Sequence, residues 1–218
     1  PLLVFTTDGM VYKLKTWRLP QGGRTSKGKA IVNILPIPTG VSVAAIMPVD
    51  RPEEDWDDLQ IVFATSAGDV RRNALSDFTN VMRNGKIAMD LPEGVELVNA
   101  RICSDDEDVM LVTDSGRAIR FQVGDVRVFK GRKSTGVRGI RLLNGDRVVS
   151  MSVIRHFEAT TDERAAFLKR FRTEFGAEPE EDTADPDAIG NADAALPEAR
   201  YQEMLAAQDL ILTITARG

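Results

Sequence analysis

The stretch VMLVTDSGRAIRF, residues 109–121, contains an apolar run, a Thr-Asp-Ser-Gly turn and a second short strand. A buried β-strand favours such a run, and glycine readily adopts the positive φ that a hairpin turn needs. The pattern therefore predicts a β-hairpin. It occurs again at residues 2–14 (LLVFTTDGMVYKL) and 61–73 (IVFATSAGDVRRN), and its first half recurs at 211–218 (ILTITARG). Self-similarity of this kind indicates a repeat architecture.

Glycines at three positions align across these repeats. They are Gly9, Gly68 and Gly116 in the turns, Gly28, Gly85 and Gly136 in basic loops, and Gly40, Gly94 and Gly145 before further strand-like runs. Each turn glycine follows a threonine by three residues: Thr6, Thr65 and Thr113. One repeat is therefore a hairpin, a basic loop, a strand, a turn and another strand. The strand after the basic loop is predicted at residues 30–37 in the first repeat and near residues 87–91 in the second. At about 50 residues the repeat has the length of a four-stranded propeller blade.

The composition is ordinary for a soluble globular protein, with 43% hydrophobic and 28% charged residues among 218. No segment approaches the ~18 consecutive apolar residues of a membrane span, so we expect no membrane partner. Cys103 is the only cysteine, which excludes an internal disulfide and fits a reducing cytoplasm. His156 is the only histidine, and its sequence neighbours offer no partners for a metal site or a catalytic triad.

Two motifs resemble ligand sites but lack the required context. Residues 23–30 (GRTSKGKA) have the spacing of a phosphate-binding P-loop, yet Ala30 replaces the Ser or Thr that would bind Mg²⁺. No buried strand precedes this segment, and a β-branched run that stops at proline follows it. Residues 105–108 (DDED) lack the alternating ligands and the glycine of a calcium loop. We therefore predict no catalytic, cofactor or metal site.

Residues 157–207 interrupt the repeat and carry 13 acidic and 5 basic residues, a net charge of −8, which leaves +3 for the rest of the chain. Thr160 and Glu163 have the spacing of a helix capping box. The first helix would bury one face made of Phe167, Leu168, Phe171 and Phe175, and a second helix is expected at 197–207. We predict blades at 1–156, a helical, acidic and partly disordered insertion at 157–207 with an acidic linker at 176–195 between its helices, and the start of another blade at 208–218.

The basic loops provide the strongest functional signal because their cations recur in register with the glycines. These cations are Arg24, Lys27 and Lys29 in the first loop, Arg83 and Lys86 in the second, and Lys130, Arg132, Lys133, Arg138 and Arg141 in the third. Glycine lets a backbone approach a phosphate closely, and adjacent cations neutralise its charge. We predict a curved basic track that binds a polyanion. Aromatic residues do not punctuate the loops, which favours duplex backbone contact over base stacking.

The repeats resemble the C-terminal domain of the bacterial DNA gyrase A subunit. The residues that carry the likeness are 4–14 (VFTTDGMVYKL), 24–35 (RTSKGKAIVNIL), 43–49 (VAAIMPV), 108–121, and above all 134–141 (STGVRGIR) with 145–150 (GDRVVS). The resemblance implies an all-β fold, a six-bladed propeller-like β-pinwheel in which neighbouring blades exchange strands. About three to four blades would be present here, with the small helical insertion.

The resemblance also implies a function. The family's domain wraps duplex DNA around a basic rim without sequence preference and so supports negative supercoiling by a type II topoisomerase. The parent enzyme would use ATP and Mg²⁺ through other domains or subunits, with the rest of gyrase A and gyrase B as partners. We expect no cofactor and no catalysis in this chain, and a cytoplasmic location.

The chain departs from the family pattern in two ways. The glycine-rich basic box of the form QRRGGKG is missing, and Tyr12 and Tyr201 lie outside the context of the family's catalytic tyrosine. We expect the chain to be a portion of a longer domain. Two alternatives remain open: the related C-terminal domain of topoisomerase IV, and a propeller that serves as a protein-interaction scaffold with the insertion as its docking element.

Overall fold

The computed structural model describes residues 1–176 and 190–209. The chain divides into two compact units, Pro1–Ile154 and Arg155–Gly218. The described strands, in chain order, are β1 (Leu2–Thr6), β2 (Met10–Leu14), β3 (Val43–Pro48), β4 (Gln60–Thr65), β5 (Asp69–Ala74), β6 (Lys86–Ile87), β7 (Leu97–Cys103), β8 (Glu107–Thr113), β9 (Ala118–Gln122), β10 (Val137–Arg138) and β11 (Val148–Arg155). The described α-helices, both in the second unit, are α1 (Thr161–Phe175) and α2 (Glu198–Ala206).

Each predicted hairpin forms the centre of its own sheet. The strand orders are β3-β1-β2-β6 in the first sheet, β7-β4-β5-β10 in the second and, within the described residues, β11-β8-β9 in the third. β6 and β10 each come from the repeat that follows, so neighbouring sheets exchange a strand. The predicted all-β architecture outside the insertion is confirmed, including four strands in each of the first two sheets.

The three hairpin turns repeat one hydrogen-bond pattern. In each turn the N–H of the glycine donates to the carbonyl of the threonine three residues earlier, at 2.9, 3.0 and 3.0 Å. The glycines have φ values of 80°, 88° and 84°, the left-handed conformation found at the end of a three-residue hairpin loop. The threonines, Thr6, Thr65 and Thr113, are buried and bond to the backbone four residues on. The repeat alignment is therefore confirmed.

The second hairpin is buried on both faces, which explains its unbroken apolar run. Successive β-strand side chains point to opposite faces of a sheet. Ile61 and Phe63 of β4 pack in a cluster with first-repeat residues, and Val62 and Ala64 pack in another cluster with third-repeat residues. The ring centroid of Phe63 lies 5.6 Å from that of Phe5 in the first hairpin. Neighbouring repeats therefore share their hydrophobic cores.

The strand predicted at residues 30–37 is wrong. A 3₁₀ turn at Ile31–Asn33 and irregular backbone occupy this segment. The equivalent residues after the other two loop glycines form β6 and β10, which exist because a preceding hairpin provides a pairing edge. Residues 29–30 hold this position in the first repeat, and no described strand pairs with them. The strand predicted near residues 87–91 is likewise only the two-residue β6.

The second unit contains the two helices predicted for the insertion. The hydroxyl of Thr160 accepts from the N–H of Glu163 at 3.2 Å, and the Glu163 carboxylate accepts from the N–H of Thr160 at 2.8 Å, so the capping box is present. α1 packs on α2 through Phe167 and Tyr201, whose ring centroids are 5.2 Å apart. Leu168 and Phe175 were predicted on the buried face, but they are 46% and 61% exposed. Leu168 points about 100° away from Phe167 because it is the adjacent helix residue, and Phe175 is the last residue of α1.

Two predicted segments lie mainly outside the described residues. They are the acidic linker between the helices, of which residues 177–189 are not described, and the next blade predicted at 208–218, of which 210–218 are not described.

The shared aromatic core leads to a stability prediction. We expect Phe63→Ala to lower the free energy of unfolding of the first unit by about 3–5 kcal/mol, because it leaves a cavity between two sheets. Leu143→Ala, at an exposed position, should change it by less than about 0.5 kcal/mol. Urea titration followed by fluorescence of the buried Trp56 measures both values. Equal effects of the two substitutions would contradict the shared core.

Candidate nucleic-acid interface

The exchanged strands hold the second and third basic loops on the hairpin of the preceding repeat. β6 pairs with the start of β2, where Lys86 lies opposite Val11. β10 pairs with the start of β5, where Val137 lies opposite Val70. Both exchanged strands therefore join the same edge of successive sheets, directly after the hairpin turn.

The backbone that follows each exchanged strand is hydrogen-bonded to the turn glycine of the preceding repeat. The carbonyl of Gly9 accepts from the N–H groups of residues 88 and 89 at 2.8 and 3.0 Å. The carbonyl of Gly68 accepts from the N–H groups of residues 139 and 140 at 2.9 and 3.2 Å. A Cβ on Gly136 would lie 2.2 Å from the carbonyl oxygen of Val70, so this loop position requires glycine. The aligned glycines thus fix the loops in one register.

The third loop is also held from beneath by Arg71 of β5. One guanidinium nitrogen of Arg71 donates to the carbonyls of Arg132 and Ser134, each at 2.8 Å, and the other terminal nitrogen donates to the carbonyl of Ala88. The Arg71 side chain is fully buried, and burial lowers its pKa to about 10 against the opposing effect of Asp77. A buried cation with several carbonyl partners ties the backbones of two loops together.

Asn73, two residues further along β5, extends this support. Its amide nitrogen donates to the carbonyls of Phe129 and Gly131 at 3.0 and 2.9 Å, and to the carboxylate of Asp77 at 2.9 Å. The carbonyls of residues 129, 131, 132 and 134 therefore accept hydrogen bonds from β5 side chains, while Lys130 and Lys133 of this loop are exposed. Nothing in the sequence alone marked Arg71 or Asn73 as buried supports.

Eight of the ten predicted cations are exposed. They are Arg24, Lys27, Lys29, Arg83, Lys130, Lys133, Arg138 and Arg141. Lys86 and Arg132 are half-buried, and each donates to a carbonyl, Lys86 to that of Asp77 at 2.8 Å and Arg132 to that of Ile87. Burial, followed by the charge of Arg132, lowers the pKa of Lys86. Lys86 and Arg132 therefore stabilise the loops through backbone hydrogen bonds, whereas the other eight cations are accessible to a ligand in solution.

The first and second loops meet at a groove of about 1010 Å³ that both Lys29 and Arg83 line. Lys15, Trp17 and Arg18 line it as well, and none of them is among the site residues predicted from the sequence. The expectation that aromatic residues are absent from the basic loops is wrong for this one position. The adjacent Trp17 and Arg18 at the start of the first loop were the sequence signal that could have identified this position.

The described residues contain no group of three or more His, Cys, Asp and Glu residues that could hold a metal ion. Burial raises the pKa of the Cys103 thiol to about 12, so the thiol stays protonated and unreactive at neutral pH. No helix within 1–176 and 190–209 is long and apolar enough to cross a membrane.

Comparison with known proteins identifies the family. Residues 1–50, 60–104 and 107–155 match a family profile described as the DNA gyrase C-terminal domain, a beta-propeller. The chain belongs to the DNA gyrase C-terminal domain family. The profile match ends at residue 155, so it does not include the helical insertion.

Several DNA gyrase A subunits are similar to this chain. That of Granulibacter bethesdensis is 43% identical over 227 residues, which cover all of this chain and 24% of that protein. The Rickettsia bellii protein is 40% identical over 223 residues with the same coverage. The Escherichia coli K12 protein is 38% identical over 154 residues, or 71% of this chain and 17% of that protein. The chain therefore spans less than a quarter of the length of these relatives.

Solved structures share the fold. The C-terminal domain of DNA topoisomerase IV is similar with a TM-score of 0.62 at 24% identity, covering 74% of this chain and 48% of that chain. A DNA gyrase A C-terminal domain gives a TM-score of 0.55 at 23% identity, covering 70% of this chain and 47% of that chain. At such low identity these similarities establish the architecture alone.

The support of the third loop can be tested by replacing its buried arginine. We expect Arg71→Met to cost about 2–4 kcal/mol of stability, because it leaves three carbonyls without their donor. Amide hydrogen exchange should speed up at residues 129–136, while residues 2–14 keep their protection.

The matched control is Arg138→Met, which removes an exposed arginine from the adjacent exchanged strand and should leave exchange at 129–136 nearly unchanged. Equal exchange in the two variants would show that Arg71 does not hold the loop.

Proposed function

We propose that this chain binds and wraps duplex DNA without sequence preference, as part of the C-terminal module of a gyrase A subunit that supports negative supercoiling. The observation that carries the proposal is the shared position of the second and third basic loops, which exchanged strands hold on the same edge of successive sheets. Membership in the DNA gyrase C-terminal domain family is consistent with it.

The electrostatics favour phosphate as the ligand. The acidic residues of the first unit concentrate in residues 50–58 and 105–108, away in sequence from the glycine loops. Eight exposed cations on the loops would attract a polyanion, because recognition follows the local field rather than the net charge. Lys86 and Arg132 would add to that field from behind the loop surface.

The composition of the loops favours backbone contact over base reading. Base readout uses side chains that make paired hydrogen bonds to base edges, such as Asn and Gln bound to adenine. The loops contain mainly cations and glycines, which suit contact with phosphates and set position but not sequence. Bending duplex DNA costs on the order of several kcal/mol per 20–30 base pairs, so wrapping needs many such contacts along the path.

The parent protein would be the gyrase A subunit of a cytoplasmic type II topoisomerase. In that enzyme ATP and Mg²⁺ would act through other domains or subunits, with gyrase B as a partner. The named relatives are gyrase A subunits, which favours this assignment over topoisomerase IV. No contact of the described residues favours a protein-interaction scaffold.

The salt dependence of DNA binding tests the proposal. We expect the 218-residue chain to bind random duplexes, with log K falling by about 0.9 per unit of log salt for each phosphate engaged. Replacing Arg24, Lys27 and Lys29 together by alanine should reduce this slope by roughly two to three units on every sequence. Fluorescence anisotropy at several salt concentrations measures it.

A matched triple variant replaces Arg101, Arg147 and Lys169, three exposed cations outside the basic loops. This control should keep the slope of the unmodified chain. An equal loss in both variants, or a loss confined to one DNA sequence, would contradict the proposed surface.

A further inference from the structure

The groove between the first two basic loops combines an apolar floor with a cationic rim. Leu14, Leu35 and Val81 contribute apolar surface to it. The basic residues that line it are Lys13, Lys15, Arg18, Lys29 and Arg83. They come from the end of β2, from the 3₁₀ turn Thr16–Arg18, and from the loops of two different repeats. The fold therefore collects cations that lie far apart in the sequence.

Most of this positive charge is not neutralised by the residues that the structure describes. Glu53 is the one acidic residue among the described groove residues, and Lys13 occupies it with hydrogen bonds of 2.9 and 3.0 Å to its two carboxylate oxygens. Lys13 also donates to the carbonyl of Thr79. Lys15, Arg18, Lys29 and Arg83 make no ion pair with any described residue. Four cations therefore line one groove without an ion pair within residues 1–176 and 190–209.

Trp17 lines this groove and is unusually exposed to solvent for a tryptophan. Its side chain is 74% exposed, whereas Trp56, the other tryptophan of the chain, is fully buried. The guanidinium carbon of Arg18 lies 5.1 Å from the Trp17 ring centroid. An indole offers a large apolar face together with one N–H donor, and burial of that face on binding is favourable. An exposed indole among unpaired cations suits a ligand that is both anionic and partly apolar.

We propose that this groove seats one sugar–phosphate strand of duplex DNA between the first and second basic loops, with the Trp17 ring against deoxyribose. The inference rests on the proposed wrapping function and adds residues to its surface. Phosphates would lie near Lys15, Arg18, Lys29 and Arg83, and the indole N–H can donate to a phosphate oxygen. A lone aromatic side chain cannot stack a series of unpaired bases, which favours the duplex backbone as the occupant.

The two tryptophans make the contact directly measurable. In the 218-residue chain, acrylamide should quench Trp17 efficiently and the buried Trp56 hardly at all. A saturating random 40-base-pair duplex at low salt should protect the quenchable component, so that its Stern–Volmer constant falls toward the value for Trp56. The Trp17→Phe chain should lack this component with and without DNA, which assigns the signal. If bound duplex leaves the quenching of Trp17 unchanged, the inference is overturned.

The cations have their own test. Lys15→Gln with Arg18→Gln should reduce the salt slope of duplex binding by roughly two units. The matched pair Arg101→Gln with Arg147→Gln should leave the slope unchanged. Duplex binding with an unaltered slope in the first variant would refute the groove and leave the loop surface standing. Protection of Trp17 by a single strand but not by duplex would refute the assigned occupant, and absence of any duplex binding would refute the wrapping function with it.

Discussion

The structure depends on the two-residue strand that each repeat donates to the hairpin before it. An open sheet edge presents unpaired backbone groups, and the exchanged strands β6 and β10 pair that edge in the first two sheets. The basic loop lies immediately beside this pairing. The hydrogen bonds that complete a sheet therefore also determine where the cations lie. The pairing of the exchanged strand thus contributes both to the stability of the sheet and to the position of the candidate DNA surface. β9 has no exchanged strand among the described residues, and its side chains are largely exposed.

The repeats place different side chains under the exchanged strand. The position three residues after the turn glycine is Tyr12 in the first repeat, Arg71 in the second and Ile119 in the third. Tyr12 and Arg71 are both buried beneath the next repeat's loop glycine. Tyr12 fills this space with a ring, whereas Arg71 also binds loop carbonyls. The same backbone plan thus places an aromatic ring beneath the loop glycine of the second repeat and a hydrogen-bonding guanidinium beneath that of the third.

Local signals in the sequence predicted much of the fold. The threonine–glycine spacing identified the hairpins, and Thr160 with Glu163 identified the start of α1, because turns and caps depend on neighbouring residues. The strand predicted at residues 30–37 was wrong because an exchanged strand depends on a distant pairing edge. Trp17 and Arg71 were missed for a similar reason, since exposure and burial are set by residues from other repeats. Of the candidate site, the sequence predicted the loops and their cations but not the supports that orient them.

We propose that the basic loops of successive repeats form one continuous path for duplex DNA. Photo-crosslinkers placed singly at Arg24, Arg83 and Lys133, one in each loop, test it directly on a random 60-base-pair duplex with a unique end label. We predict three crosslink clusters at separate positions in the order of the repeats, with the same spacing on duplexes of different sequence. Crosslinks from all three loops at one position, or positions that change with the DNA sequence, would contradict a continuous wrapping path.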